Sequence, residues 1–324
     1  MRSRALDPHG PDAGRWYAAF RAGLVAGREQ PMVASAGATL TSLRTNATNL
    51  LLDRRPFGVW DGDVCLGGMI VNLSRTANAH TVDLELAVAP EFRNRGAGTE
   101  LFRAAVDLAR AEGRRVVSAE VHEPVGTGFA LDRGFTIKLT ERRYLLGIPA
   151  APVPATVPDG YRTEVWTGPV DAAVAPGFAT MRTLMEQDVP VGDRDHEPEV
   201  FTADRVLAAD KRLANAGWGM VTALLLAPDG TPAGYSRILV DGTKEVDNGK
   251  EDALQDDTFV LGAHRGRRLG AVLKSAALAR LEADFPTVRH LHTWTADGND
   301  AMIATNLRFG FRPVETTHTV EATV

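Results

Sequence analysis

Gly98 and Gly270 each end a loop of the same design, and their spacing of 172 sets a register that the flanking sequence keeps. Ahead of the first loop, Val82, Leu84, Leu86 and Val88 take alternate places in an apolar run, the pattern of a strand. Behind it, Leu101, Ala104, Ala105 and Leu108 fall at the spacing of one helical face. The second copy repeats the order: a strand 258–261, a loop 262–270, and a helix with Leu273, Ala277 and Leu281 on one side. Strands are expected next at 115–121 and 288–294, and each copy closes on Gly-Phe, at Gly134-Phe135 and Gly310-Phe311, 176 residues apart. Hairpin turns are expected upstream at Asp61-Gly62 and Asp229-Gly230, and helices around 14–26 and 173–185. Two modules that stay within four residues of one another predict the same fold twice. Each is an α/β unit, a mixed sheet with helices on its faces.

A chain of 324 residues is long enough for two cores of about 150 residues each. Pro149, Pro152, Pro154 and Pro158 deny the backbone ladder donors and stiffen it, so 149–159 reads as a linker between domains 1–148 and 160–324. The net charge of −5, with no dense lysine and arginine block, argues against a nucleic-acid partner. No apolar run approaches the roughly 20 residues of a membrane span, and the N-terminus lacks the apolar core of a secretory signal. No membrane partner and a cytoplasmic location are therefore expected. The single cysteine, Cys65, excludes an intrachain disulfide and a cysteine metal cluster, and reads as a small buried hydrophobe. No metal is expected: His290 and His292 share a strand face, but the sequence places no third ligand near them.

A strand that runs into a glycine-containing turn and opens a helix makes an anion site, because first-turn N–H groups lack intrahelical partners and the helix dipole favours negative charge. Gly96 and Gly98 admit close backbone approach by a pyrophosphate, and Arg93 and Arg95 offer bidentate donors. A dinucleotide-binding unit fails on detail: seven residues, Ala89 to Arg95, separate strand and glycines, and Leu101 stands where the third glycine belongs.

Val88-Ala89-Pro90 followed by Arg93-Asn94-Arg95-Gly96-Ala97-Gly98 resembles the acyl-CoA signature of the GNAT superfamily of N-acyltransferases. In the second copy His264-Arg265-Gly266-Arg267-Arg268-Leu269-Gly270, with Lys274 behind it, is similar to a variant in tandem GNAT proteins of high-GC bacteria. So is the run from Thr293, Trp294, Thr295 and Ala296 through Asn299, Met302 and Asn306 to Gly310-Phe311. The resemblance implies two GNAT folds in tandem. It implies acetyl-CoA or a related thioester as co-substrate, its pantetheine pairing with the strand at Ala87 and Val88 or at Val260. CoA contacts are implied for Arg93, Asn94, Arg95, Gly96, Ala97, Gly98 and Thr99 in the first copy. In the second they are implied for Arg265, Gly266, Arg267, Arg268, Leu269, Gly270 and Asn299. An amine on a small molecule or peptide would attack the thioester directly in a ternary complex, in a monomer or homodimer.

Three departures bear on mechanism. Arg268 stands where the first signature glycine belongs, and Thr295 where tandem relatives often have asparagine. The tyrosine that protonates the leaving thiolate in many relatives is replaced by Ala130 in the first copy and Asn306 in the second, so Asn306 is expected to support the thiolate by hydrogen bonding alone. An alkylamine near neutral pH needs a base. The candidates are Glu85, beside Asp83, and Asp257, beside Asp256, each three residues before the strand end; a water chain is the alternative. The first copy has the better loop, whereas the second keeps Asn299 and Asn306 where the first has Glu123 and Ala130. Chemistry is assigned to the second copy, with the first binding or structural. A non-catalytic acyl-CoA sensor or scaffold is the rival reading. The acidic stretch 186–199 would attract a cationic acceptor or simply be solvated.

Overall fold

The computed structural model describes residues 1–46, 49, 51–122, 124–241 and 251–324. They form two compact units. The first comprises Met1–Glu141, Val191–Glu197 and Glu315–Val324, the second Arg142–Pro190 and Pro198–Val314. The division at 149–159 runs along the chain, whereas in space the first unit takes in Val191–Glu197 and Glu315–Val324 and the second begins at Arg142.

The first unit contains β1 (Arg2–Ala5), α1 (Ala13–Val25), α2 (Ala36–Arg44), β2 (Leu52–Asp61), β3 (Val64–Ser74) and β4 (Thr81–Val88). There follow α3 (Ala97–Ala111), β5 (Val116–His122), α4 (Val125–Leu131) and the beginning of β6 (Thr136–Gly147). The last residues of the chain, the end of β12 (Arg312–Thr323), supply its remaining strand. Strand order is β1-β2-β3-β4-β5-β12-β6. Gly62, at φ 57°, turns the β2–β3 hairpin as its sequence predicts. On α3 the buried residues Leu101, Ala105 and Ala109 recur every fourth place, and the stripe packs on Met69, Val82, Leu84 and Val117. The opposite sheet face carries Trp16, Phe20, Leu40 and Leu43 of α1 and α2 against Ile70 and Ala87.

The second unit contains β7 (Arg162–Thr167), α5 (Ala175–Asp188), α6 (Ala203–Asn215), β8 (Gly219–Leu226), β9 (Pro232–Val240) and β10 (Asp252–Val260). After these come α7 (Leu269–Asp284), β11 (His290–Ala296) and α8 (Asp300–Arg308). Its order is β6-β11-β10-β9-β8-β7. Leu273, Ala277 and Leu281 are fully buried on α7, the stripe the sequence predicts, while α5 and α6 cover the other face with Phe178, Met181 and Val206. No helix among the described residues is long and apolar enough to cross a membrane.

One feature recurs in both units. β4 and β5 are parallel partners only where Thr81, Val82 and Asp83 face Val116, Val117 and Ser118. β10 and β11 pair only where Asp252, Ala253 and Leu254 face His290, Leu291 and His292. Beyond those residues each pair of strands splays, opening a notch at the end where the glycine loop begins.

Candidate functional site

The two loops reach one backbone shape by different residues. Left-handed φ values fall on Asn94 (59°) and Gly96 (89°) in the first, and on Gly266 (79°) and Arg268 (60°) in the second. Glycine and side-chain residue have changed places, yet each loop keeps two left-handed residues at matching positions. Gly96 and Arg268 are the N-caps of α3 and α7, so first-turn amides point into the loop as in an anion-binding nest. The Arg268 side chain is exposed, which leaves the backbone approachable.

The arginines opening the loops act as ties. Arg93 donates from Nε to the Val88 carbonyl (3.3 Å) and from Nη2 to that of Gly23 (3.2 Å), and Arg265 donates from Nε to the Val260 carbonyl (2.8 Å) and pairs with Asp188. Arg95 is exposed beside the Phe92 ring. Arg267 donates to the Tyr161 hydroxyl (2.7 Å), which also bonds His264 (2.8 Å). Ala97 and Leu269 are buried in their cores. Thr99 accepts a hydrogen bond from Arg133 (2.7 Å), whose guanidinium lies 3.5 Å from the centre of the Phe129 ring. That ring packs on Gly98, where an added Cβ would meet it at 2.9 Å; a Cβ on Gly270 would meet nothing nearer than 3.9 Å. Two further glycines, not singled out by sequence, allow the neighbouring strand to approach the notch. A Cβ at Gly67 would lie 2.5 Å from the Ala87 carbonyl, and one at Gly234 2.6 Å from that of Phe259.

The notch strands differ in the element that aims a carboxylate. β3 and β4 pair without irregularity, but the register of β9 and β10 shifts between Gln255 and Asp257, leaving Asp256 as the extra residue of a bulge. Gln255 is buried and pins the bulge, its Nε2 donating to Ser236 Oγ, Arg237 O and Asp257 O. Asp257 is 12% exposed, accepts from the Tyr235 hydroxyl (3.0 Å) and faces Arg182 at 3.5 Å. Burial, and then the neighbouring Asp256 charge, raise its carboxyl to about 7 against the opposing pull of Arg182 and Tyr235. Glu85 is half-exposed and held by Asn72 (3.1 Å) and Arg54 (3.4 Å).

Asn306 on α8 is 0% exposed. Its Nδ2 donates to Thr295 Oγ1 (3.0 Å) and its Oδ1 has no partner among the described residues. In this orientation the unfilled atom is an acceptor suited to a ligand N–H; supporting a thiolate requires the amide rotated, with the Thr295 hydroxyl donating to Oδ1. Asn299 caps α8, its side-chain oxygen accepting from Met302 N (3.3 Å). Ala130 is buried at the matching place in the first unit, and Glu123 lies outside the described residues.

Four of the six carboxylates of 186–199 are already engaged: Asp188 with Arg265, Asp195 with His80 and Arg115, Glu197 with Asn78, Glu199 with Arg205. His290 and His292, two apart on β11, share a face and both bond Asp252 Oδ1 (3.1 and 3.2 Å), and Arg143 donates to His292 Nδ1 (3.0 Å). Cys65 is buried with its thiol pushed up to about 11 by burial, which leaves it unreactive.

Residues 33–129 match the family described as Acetyltransferase (GNAT) family. No curated protein matches the sequence. Among solved structures, a tandem GNAT protein from the clavulanic acid biosynthesis pathway, solved without AcCoA, is 23% identical with a TM-score of 0.82, over 99% of this chain and 98% of that one. A GCN5-related N-acetyltransferase from Sphaerobacter thermophilus is 15% identical with a TM-score of 0.70, over 99% and 95%. An acetyltransferase from the GNAT family of Colwellia psychrerythraea is 13% identical with a TM-score of 0.57, over 100% and 99%. The chain therefore has the fold of a tandem GNAT protein, and within its first half residues 33–129 match the Acetyltransferase (GNAT) family.

Proposed function

We propose that this chain moves an acetyl or related acyl group from CoA to the amine of a small molecule or peptide-like acceptor, and that the second copy does the chemistry. The observation that carries this reading is Asp257, turned by the β10 bulge at the splayed strand and raised to about 7. A base works best when its pKa lies near the working pH, because it is then ionised yet still basic.

The protein fits a CoA thioester on three counts: loop amides at α3 and α7 for phosphates, splayed strand edges for an extended pantetheine, and the unfilled Asn306 Oδ1 for a ligand N–H. The thioester supplies the acyl carbon, from which the attacking amine displaces CoA thiolate. Asp257 takes the proton the amine sheds, Tyr235 and Arg182 hold the carboxylate in place, and the buried Asn306 fixes the ligand's acyl end. The first copy has no polar side chain at Ala130, and its Glu85 is tied to Arg54 and Asn72, which favours a binding or structural role there.

A thiol-release assay with acetyl-CoA against an amine library tests the reading, with calorimetry of acetyl-CoA in parallel. Release with at least one amine is the expected result. Acetyl-CoA binding with no acceptor in the library would favour a sensor instead.

A further inference from the structure

Asp83 on β4, Glu120 on β5 and Glu141 on β6 share one face of the first unit's sheet, outside the roles assigned above. Register places them. Asp83 lies beside Ser118, Glu120 is opposite Thr319, and His122 is opposite Thr317, so alternation puts Glu120, His122 and Thr317 on the same side. The hydrogen bond from Thr140 to His318 sets Glu141 next to Thr317 across the other edge of β12.

These carboxyls are under strain from each other. Asp83 and Glu120 each keep exposed surface, yet desolvation of their carboxyls by the surrounding sheet lifts Asp83 to about 6 and Glu120 to about 7. Glu85 adds to the first and Glu141 to the second, and burial raises Glu141 as well. The facing cations do not neutralise them. Arg28 is bidentate on Glu315 (2.6 and 2.9 Å), Arg54 is shared among Glu85, Asn72 and Ser42, and Arg194 only partly offsets Asp83 and Glu141. His122 lies 3.8 Å from Glu120 and 3.5 Å from Glu315.

A second observation is independent of charge. Thr317 is 1% exposed, and its hydroxyl, set between His122 and Glu141, has no hydrogen-bond partner among the described residues. A buried hydroxyl left so is destabilising, and a ligand atom would relieve it. The acidic groups do not converge on a point, since among the described residues no three His, Cys, Asp or Glu side chains form a metal-ligand set. Asp83 and Glu141 stand three strand spacings apart, roughly 14 Å. What satisfies such a row is elongated and carries more than one positive charge.

We propose that the first half binds an aliphatic di- or polyamine along this face, its ammonium groups held by Asp83, Glu120 and Glu141, with one N–H donating to Thr317 Oγ1. Bound cations favour the ionised carboxyls, so binding expels protons near pH 6.5.

The test is calorimetry of the full chain with spermidine as the probe, n-butylamine for comparison, and no thioester present. One spermidine per chain is expected, with butylamine weaker by about tenfold or more. Glu120→Gln and Thr317→Val should each weaken spermidine about tenfold. The heat at pH 6.5 should change with the ionisation enthalpy of the buffer. Glu120→Gln removes a repelling charge, so its Tm should equal or exceed the parent's. Absence of spermidine binding overturns the proposal, as does binding that survives both substitutions and vanishes in Asp257→Asn. Either failure leaves the acyl-transfer reading intact, because no acyl group enters the experiment.

Discussion

Tyr235 donates its phenolic hydrogen to Oδ2 of Asp257 across 3.0 Å, joining β9 to the bulged stretch of β10. The bond favours the carboxylate, whereas burial and Asp256 favour the acid. Activity that needs the carboxylate falls as pH drops through about 7. Tyr235→Phe removes a stabilising bond worth about 1.5 kcal/mol and should move the acid limb of kcat/KM up by about one pH unit. A limb that stays in place would show that another group titrates.

Arg268 holds a left-handed backbone position that glycine fills in the first loop, and a side chain there costs roughly 1–2 kcal/mol. Arg268→Gly should therefore gain about 0.5–1 kcal/mol in urea unfolding after glycine's greater freedom in the unfolded chain is offset. Gly96→Ala, at φ 89°, should lose a similar amount.

Lys274 is 1% exposed and lies 5.3 Å from the Phe311 ring, the place that Phe102 takes against Phe135 in the first unit. Burial lowers its ammonium to about 7. Between there and 10.5 the unfolded chain holds the proton more tightly, so stability rises with pH across that window and levels above it. Lys274→Met should be more stable than the parent at pH 7, by an amount on the order of a few kcal/mol, and the difference should shrink by pH 10. Equal urea midpoints at both pH values would contradict this.

The local parts of this molecule are legible in its sequence. Alternation in β4, the four-residue stripe of α3, the turns at Gly62 and Gly230 and the matched Gly-Phe pairs each depend on neighbours in the chain. What the sequence hides is register. The bulge at Asp256, which aims Asp257 at Tyr235, follows from how β10 meets β9, and Arg182 reaches the same carboxyl from α5. The exchange of Val191–Glu197 and Glu315–Val324 into the first unit is likewise a matter of partners distant in the chain. Arg93 carried the expected residue type, but its guanidinium is engaged by the Val88 and Gly23 carbonyls, a contact that only the packing of α1 on β4 creates.

The central claim, that the second copy does the chemistry, is tested most directly by thiol release in Asp257→Asn and Glu85→Gln, assayed with the same amine at saturating acetyl-CoA. Loss of an essential base predicts a fall in kcat of about 100-fold or more for Asp257→Asn with acetyl-CoA binding retained, and a change of less than about threefold for Glu85→Gln. Full turnover in Asp257→Asn with loss in Glu85→Gln would place the reaction in the first copy and contradict the account.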